Sequence, residues 1–148
     1  MRQSIIKSLL LLSVILTAAS CDKDEKEIGY DALPQKAQQF IAQYFPMAEC
    51  TRIVRDKDNG TTEYEAWLSD GTELEFDGQG EWTSVDCKFS ALPEGILPEA
   101  IATDIATRYP DAVPYKVEKQ PGGYEIDIPG WELYYNYQGT FIRAERDR

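Results

Sequence analysis

Residues 71–86 read GTELEFDGQGEWTSVD, and residues 130–145 read GWELYYNYQGTFIRAE. Aligned, they share Gly, then Glu-Leu, then an aromatic, then Gln-Gly, then an aromatic two places on. Each stretch alternates apolar and polar residues on either side of a Gly-containing break, the pattern of two strands joined by a tight turn. One hairpin is therefore written twice, and a duplicated unit should also repeat upstream of it.

It does. Leu33-Pro34 opens LPQKAQQFIAQYFPMA, and Leu97-Pro98 opens LPEAIATDIATRYPDA. Leu33/Leu97, Pro34/Pro98, Ile41/Ile105, Pro46/Pro110 and Ala48/Ala112 match at one offset without a gap, and Tyr64-Glu65 then pairs with Tyr124-Glu125. Leu33, Ala37, Phe40, Ile41, Tyr44 and Phe45 fall on one face at helical spacing, as do Leu97, Ile101, Ile105 and Tyr109. Proline suits a first helical turn because that N–H has no partner, and Pro46 and Pro110 end the helices. Leu92-Pro93 offers a rival start for the second helix.

Strands are expected over 51–57, 62–69, 71–76 and 81–85, and again over 115–119, 124–128, 131–135 and 140–145. Asp58-Asn59-Gly60 is a strong tight-hairpin signal, and Gly122-Gly123 and Gln138-Gly139 mark turns in the second copy. The predicted fold class is α+β: two tandem helix-plus-four-strand repeats, 31–90 and 91–148, forming one curved antiparallel sheet with helices on one face. A unit of about 60 residues is marginal alone, so two side by side share a core.

The N-terminus reads as an export signal. Arg2 and Lys7 precede a short apolar run, Leu9 to Leu16, too short to span a bilayer. Thr17-Ala18-Ala19-Ser20-Cys21 resembles the lipobox of bacterial lipoproteins, with Ala18 where Leu is commonest. Residues 1–20 are thus expected to be removed and Cys21 to carry lipid; the competing reading is an ordinary secretory signal. Residues 21–30, acidic and charged, read as a solvated tether. Losing residues 1–20 removes two basic residues and no acid, so the formal charge of −11 becomes −13. Such a chain repels nucleic acid, and its contact with membrane should come through the lipid alone. Cys50 and Cys87 form an even pair in an exported chain, which invites a disulfide. Three strand spacings, roughly 14 Å, would separate them in a flat sheet, and strong curling would be needed to bridge that gap. The pairing stays open.

The Leu-Pro…Tyr-Pro helices, the Tyr-Glu strand and the aromatic-x-x-Gln-Gly-x-aromatic hairpin together resemble the PepSY-like family of exported bacterial proteins. The resemblance covers residues 30–148. It implies a fold similar to that of β-lactamase inhibitor protein, no catalytic residues to carry over, and protein or peptide binding, with inhibition as one form of it.

Alternation sorts the strand residues into two faces. Tyr64, Ala66, Leu68, Leu74, Phe76, Tyr124, Ile126, Ile128, Leu133 and Tyr135 should meet the helices. Glu65, Trp67, Glu73, Glu75, Glu125, Asp127, Glu132, Tyr134 and Asn136 should line an open acidic face. Trp67 and Tyr134, framed by Glu65, Glu75, Asp127 and Glu132, are the candidate ligand-binding residues, because exposed rings in a polar frame supply contact area at low entropy cost. The bland alternative is that both rings merely lie across neighbouring strands. A basic protein or peptide suits that charge, and a glycan stacking on the rings is the rival partner.

Chemistry is mostly excluded. The chain has no histidine, which removes His-based triads and most zinc sites, and Cys50 and Cys87 lack a base. Asp56-Lys-Asp58-Asn-Gly60 has its Gly one position early for an EF-hand and reads as a hairpin. Glu73 and Glu75 point from an open sheet with no pocket to shift their pKa values, so a weak hydrolase is the least favoured reading. Neither cofactor nor metal is expected.

Overall fold

Each Leu-Pro pair starts a helix. α1 (Gln35–Tyr44) follows Pro34, α2 (Glu99–Arg108) follows Pro98, and the two prolines share one conformation, φ −53° with ψ 143° and 139°. Leu92-Pro93 leads into a turn at Glu94-Gly95 and does not start α2. A computed structural model describes residues 24–147; the expected signal peptide and Cys21 lie outside the described residues.

The doubled hairpin explains its own sequence. In the first copy Asp77 Oδ1 accepts hydrogen bonds from the backbone N–H of Gln79 and Glu81, both 2.9 Å. In the second, Asn136 Oδ1 accepts from Gln138 and Thr140 at 3.0 and 2.9 Å. The glycine of each Gln-Gly pair then turns with φ +83° (Gly80) and +82° (Gly139). A Cβ on Gly80 would sit 2.6 Å from Pro34 Cβ, and one on Gly139 2.9 Å from Ala100 Cβ. Each hairpin tip thus rests on the N-terminus of its own unit's helix, which is why the Leu-Pro start and the Gln-Gly turn recur together.

Among the described residues, nine antiparallel strands run in chain order through one sheet: β1 (Asp24–Glu27), β2 (Cys50–Asp58), β3 (Thr61–Leu68), β4 (Glu73–Asp77), β5 (Trp82–Asp86), β6 (Lys116–Gln120), β7 (Gly123–Ile128), β8 (Trp131–Asn136) and β9 (Phe141–Arg146). The β2–β3 turn is tight, with Asp58 opposite Thr61 and positive φ at Asn59 and Gly60, as Asn-Gly predicts. The two units join where β5 meets β6, over only Ser84–Asp86 and Lys116–Glu118. One strand escapes the sequence reading. Asp24–Glu27, placed in a solvated tether, is exposed as expected but pairs with β2 along the sheet edge. Its charges suit an edge strand, which gains by discouraging pairing with other chains.

Both helices pack on one face of the sheet. Ala37, Ile41, Ile101 and Ile105 join Ala66, Leu68, Leu74, Phe76, Val85, Val117, Ile126, Ile128, Leu133 and Tyr135 in a single buried cluster. Tyr64 and Tyr124, also expected there, are partly buried against it. The Tyr135 hydroxyl donates to Asp104 Oδ2 at 2.8 Å, and the same oxygen accepts from Arg108 at 2.6 Å, so the buried phenol has its partner on α2. Cys50 on β2 and buried Cys87 just beyond β5 are both free thiols, and burial pushes both of their pKa values up.

Candidate functional site

The opposite face is built from the alternate residues of the same strands, and the register places acid directly opposite acid. Glu65 faces Glu75, Glu63 faces Asp77, Glu73 faces Asp86, Glu118 faces Glu125, and Glu132 lies between Asp127 and Glu145. Like charges directly opposite on antiparallel strands destabilise a sheet. A fold that repeats the arrangement from β3 to β9 is holding a surface that packing alone would not select.

Four cations partly offset it. Arg52 reaches Glu27 at 3.6 Å, Lys88 reaches Glu73 and Asp86 at 2.8 and 3.1 Å, Lys116 reaches Glu118 and Asp127 at 3.7 and 3.8 Å, and Arg143 reaches Glu145 at 2.7 Å. The sequence reading missed these residues and Glu118. Alternation along β6 could have found Lys116 and Glu118, since they keep the period that puts Val117 in the core.

Glu63, Glu65, Glu75 and Glu118 converge on a shallow depression where β5 and β6 part company beyond their three paired residues. Lys119 also lines it, but its ammonium lies over the Trp82 ring, 4.1 Å from the centroid. Desolvation raises the Glu75 pKa, and Glu65, Glu118 and Glu63 add to the shift. Glu125 is raised by desolvation and by Glu118 and Glu132. Asp127 is raised furthest, to about 6: desolvation leads, Lys116 opposes it, and Glu125 and Glu132 reinforce it. Its Oδ1 is buried without a hydrogen-bond partner. The expectation that nothing shifts the Glu73 and Glu75 pair is corrected at Glu75. The physical reason is burial among the neighbouring side chains of the sheet, reinforced by carboxylates crowded on adjacent strands.

The six candidate ligand-binding residues fall into two separate pairs plus two rings. Glu65 and Glu75 stand side by side in the first unit, and Asp127 and Glu132 in the second. Trp67 on β3 and Tyr134 on β8 are five strands apart, roughly 24 Å at ordinary strand spacing, so they do not share one groove. Both rings are partly buried, and each carries an arginine: Arg52 Cζ lies 4.9 Å from the Trp67 centroid and Arg143 Cζ 3.7 Å from that of Tyr134. The Tyr134 hydroxyl donates to Glu132 Oε2 at 3.0 Å, and burial with that bond holds its pKa far above the usual phenol range. Each ring thus stacks on a guanidinium of this chain, the same contact that a partner's arginine would make. Among the described residues no cluster of three or more acidic or cysteine side chains is arranged to hold a metal ion, and no helix is long and apolar enough to cross a membrane.

The profile of the PepSY-like family, described as candidate beta-lactamase-inhibitor-like proteins, matches this chain twice, over residues 20–66 and 62–143. Three solved structures are similar to it. A candidate periplasmic protein of the DUF2874 family from Bacteroides vulgatus is 37% identical, with a TM-score of 0.79 over 83% of this chain and 98% of that one. A candidate calcium-regulated periplasmic protein from Bacteroides thetaiotaomicron is 34% identical, again with a TM-score of 0.79 over 83% and 98%. A candidate periplasmic protein of unknown function from Bacteroides vulgatus is 30% identical, with a TM-score of 0.79 over 82% and 99%. No curated protein matches the chain.

Proposed function

Because this chain belongs to the PepSY-like, beta-lactamase-inhibitor-like family, we propose that it is a non-enzymatic exported binding module whose open sheet face engages a cationic protein or peptide. The family's inhibitor-like description and the periplasmic description of its solved relatives support the class. The observation that carries the reading is the acid-on-acid register, with Glu65 opposite Glu75 and Asp127 opposite Glu132. Such a face is strained by its own charge. A basic segment laid across it relieves that repulsion as it binds, so attraction and strain relief add. In this reading the two helix-plus-four-strand repeats exist to make the face wide. Lipid on Cys21 would hold the domain in the cell envelope, and Cys21→Ser should then abolish fatty-acid labelling. Labelling that persists in the variant would refute the anchor.

Affinity capture from envelope extract tests the face. The bait is the soluble domain, beside a Trp67→Ala/Tyr134→Ala bait of equal stability, each at low and high salt. A protein held at low salt, released at high salt and lost from the variant supports the proposal. A protein held equally by both baits refutes the role of the two rings. A glycan bound independently of salt would move the reading to an accessory glycan-binding lipoprotein, because ring stacking is not ionic.

A further inference from the structure

The two units are not filled alike on the helix side. Up to the second strand of each unit, residue n of the first unit corresponds to residue n + 64 of the second, and the backbone bonds agree. Ala32 N–H donates to Gly29 O and Ile96 N–H to Pro93 O; Gln38 N–H donates to Pro34 O and Ala102 N–H to Pro98 O; Ala48 N–H donates to Phe45 O and Ala112 N–H to Tyr109 O. In the first unit the space beside the helix is taken by Tyr30. Its hydroxyl donates to Gln38 O at 3.0 Å, and its pKa is raised by burial and by the neighbouring Cys50. Gln38 itself folds back to Leu33 O at 2.9 Å.

The counterparts in the second unit are smaller or point elsewhere. Tyr30 becomes Glu94, Gln38 becomes Ala102, and Cys50 becomes Pro114. All three line a cleft of about 240 Å³ beside α2, whose walls are otherwise apolar, with Leu92, Leu97, Ile105 and Ala106 prominent. The first unit supplies its own tyrosine where the second leaves a cleft. Glu94 is the one charged side chain on the rim.

We infer that this cleft binds the aromatic side chain of a tyrosine on a partner polypeptide, with a basic residue next to it that pairs with Glu94. The first unit defines the ring and its placement, and the charge of Glu94 defines the neighbour. Residues 1–23 contain no aromatic, so the ring is assigned to a partner. The site lies on the helix side of the sheet and stands independently of the acidic face.

The test uses the domain from Asp24 onward, which carries both helices and all nine strands, labelled with ¹³C at alanine methyls. It is titrated with the blocked dipeptide Tyr-Lys and, separately, with Ala-Lys. Tyr-Lys should shift the methyls of Ala102, Ala106 and Ala112 in a saturable way, and Ala-Lys should bind about tenfold or more weakly, the scale of burying one aromatic ring. Glu94→Tyr, which installs the first unit's own tyrosine at an exposed position, should fill the cleft, abolish the shifts on titration and leave the alanine methyls outside the cleft unchanged. Glu94→Gln should weaken Tyr-Lys more at low salt than at high salt. Equal binding of both dipeptides, or shifts that survive Glu94→Tyr, would overturn the inference. So would methyl shifts that depend on protein concentration without peptide and vanish in Phe89→Ser. Phe89 is 98% exposed two residues from the cleft wall, and that result would make a second copy the occupant.

Discussion

Asp127→Asn should stabilise this protein at neutral pH and lose that advantage in acid. The carboxyl is raised to about 6 from an ordinary 3.8, with desolvation as the leading cause. Its side chain is 15% exposed, so solvent screens little of the effect. At roughly 1.4 kcal/mol per pKa unit, keeping Asp127 ionised costs about 3 kcal/mol above pH 6. The sign follows from linkage: the folded state holds this proton more tightly than the unfolded state, so stability falls as pH rises from about 4 through 6. Asparagine removes the charge and keeps the shape, although an amide in a site without a hydrogen-bond partner gives back about 1 kcal/mol. Lys116 keeps Glu118 as a partner at 3.7 Å. The expected net gain is about 2 kcal/mol at pH 7.5, several degrees in Tm for a domain of this size. At pH 4 it should shrink to about zero or below, because the wild-type carboxyl is then neutral. Urea unfolding of both proteins at pH 4, 5, 6 and 7.5 measures the difference directly. A variant less stable at pH 7.5, or a difference that does not change with pH, would refute the claim that the acidic face is held at a cost in stability.

Gly80→Ala and Gly139→Ala should each destabilise the fold by about 2 kcal/mol or more, since each meets both a positive φ and a Cβ contact under 3.0 Å at a helix start; thermal unfolding checks both. Gly130, also at positive φ but with nothing within 4 Å of a Cβ, should cost less when changed to alanine. Tyr135→Phe should cost about 1 kcal/mol by removing one of the two hydrogen bonds that Asp104 Oδ2 accepts, while Arg108 keeps its own. Asp104 is held below its usual range by Arg108 first and Tyr135 second. That contribution is present above the ordinary carboxylate pKa and fades as pH falls through the folded value, so acid unfolding of wild type and variant should converge.

The duplication made most of this fold legible. Two Leu-Pro starts, two Gln-Gly turns and strict alternation located both helices, eight strands and the helix-facing residues from Tyr64 to Tyr135, because each signal is local and each was written twice. β1 was invisible for the opposite reason. Asp24–Glu27 has no apolar alternation, and its strand character comes from the free edge of β2 rather than from its own side chains. The acidic face could be read from Glu65, Glu75, Asp127 and Glu132, but its electrostatics could not. Which acid faces which depends on register, and register shifts at the bulges in β2, β5 and β9. The cations on Trp67 and Tyr134 come from neighbouring strands, so no single stretch of sequence displays either pair. The cleft beside α2 needed the structure and the repeat together. Only by superposing Tyr30 on Glu94 does the missing ring become visible.

The most direct test of the acidic face is a charge-neutral bait. A domain carrying Glu65→Gln, Glu75→Gln and Glu118→Gln keeps every strand and removes three carboxylates of the central depression. In envelope extract at low salt the wild-type domain should retain a basic protein that this variant releases, while the variant unfolds no earlier than wild type. Equal retention by both domains would contradict the account and put the binding surface elsewhere on the molecule.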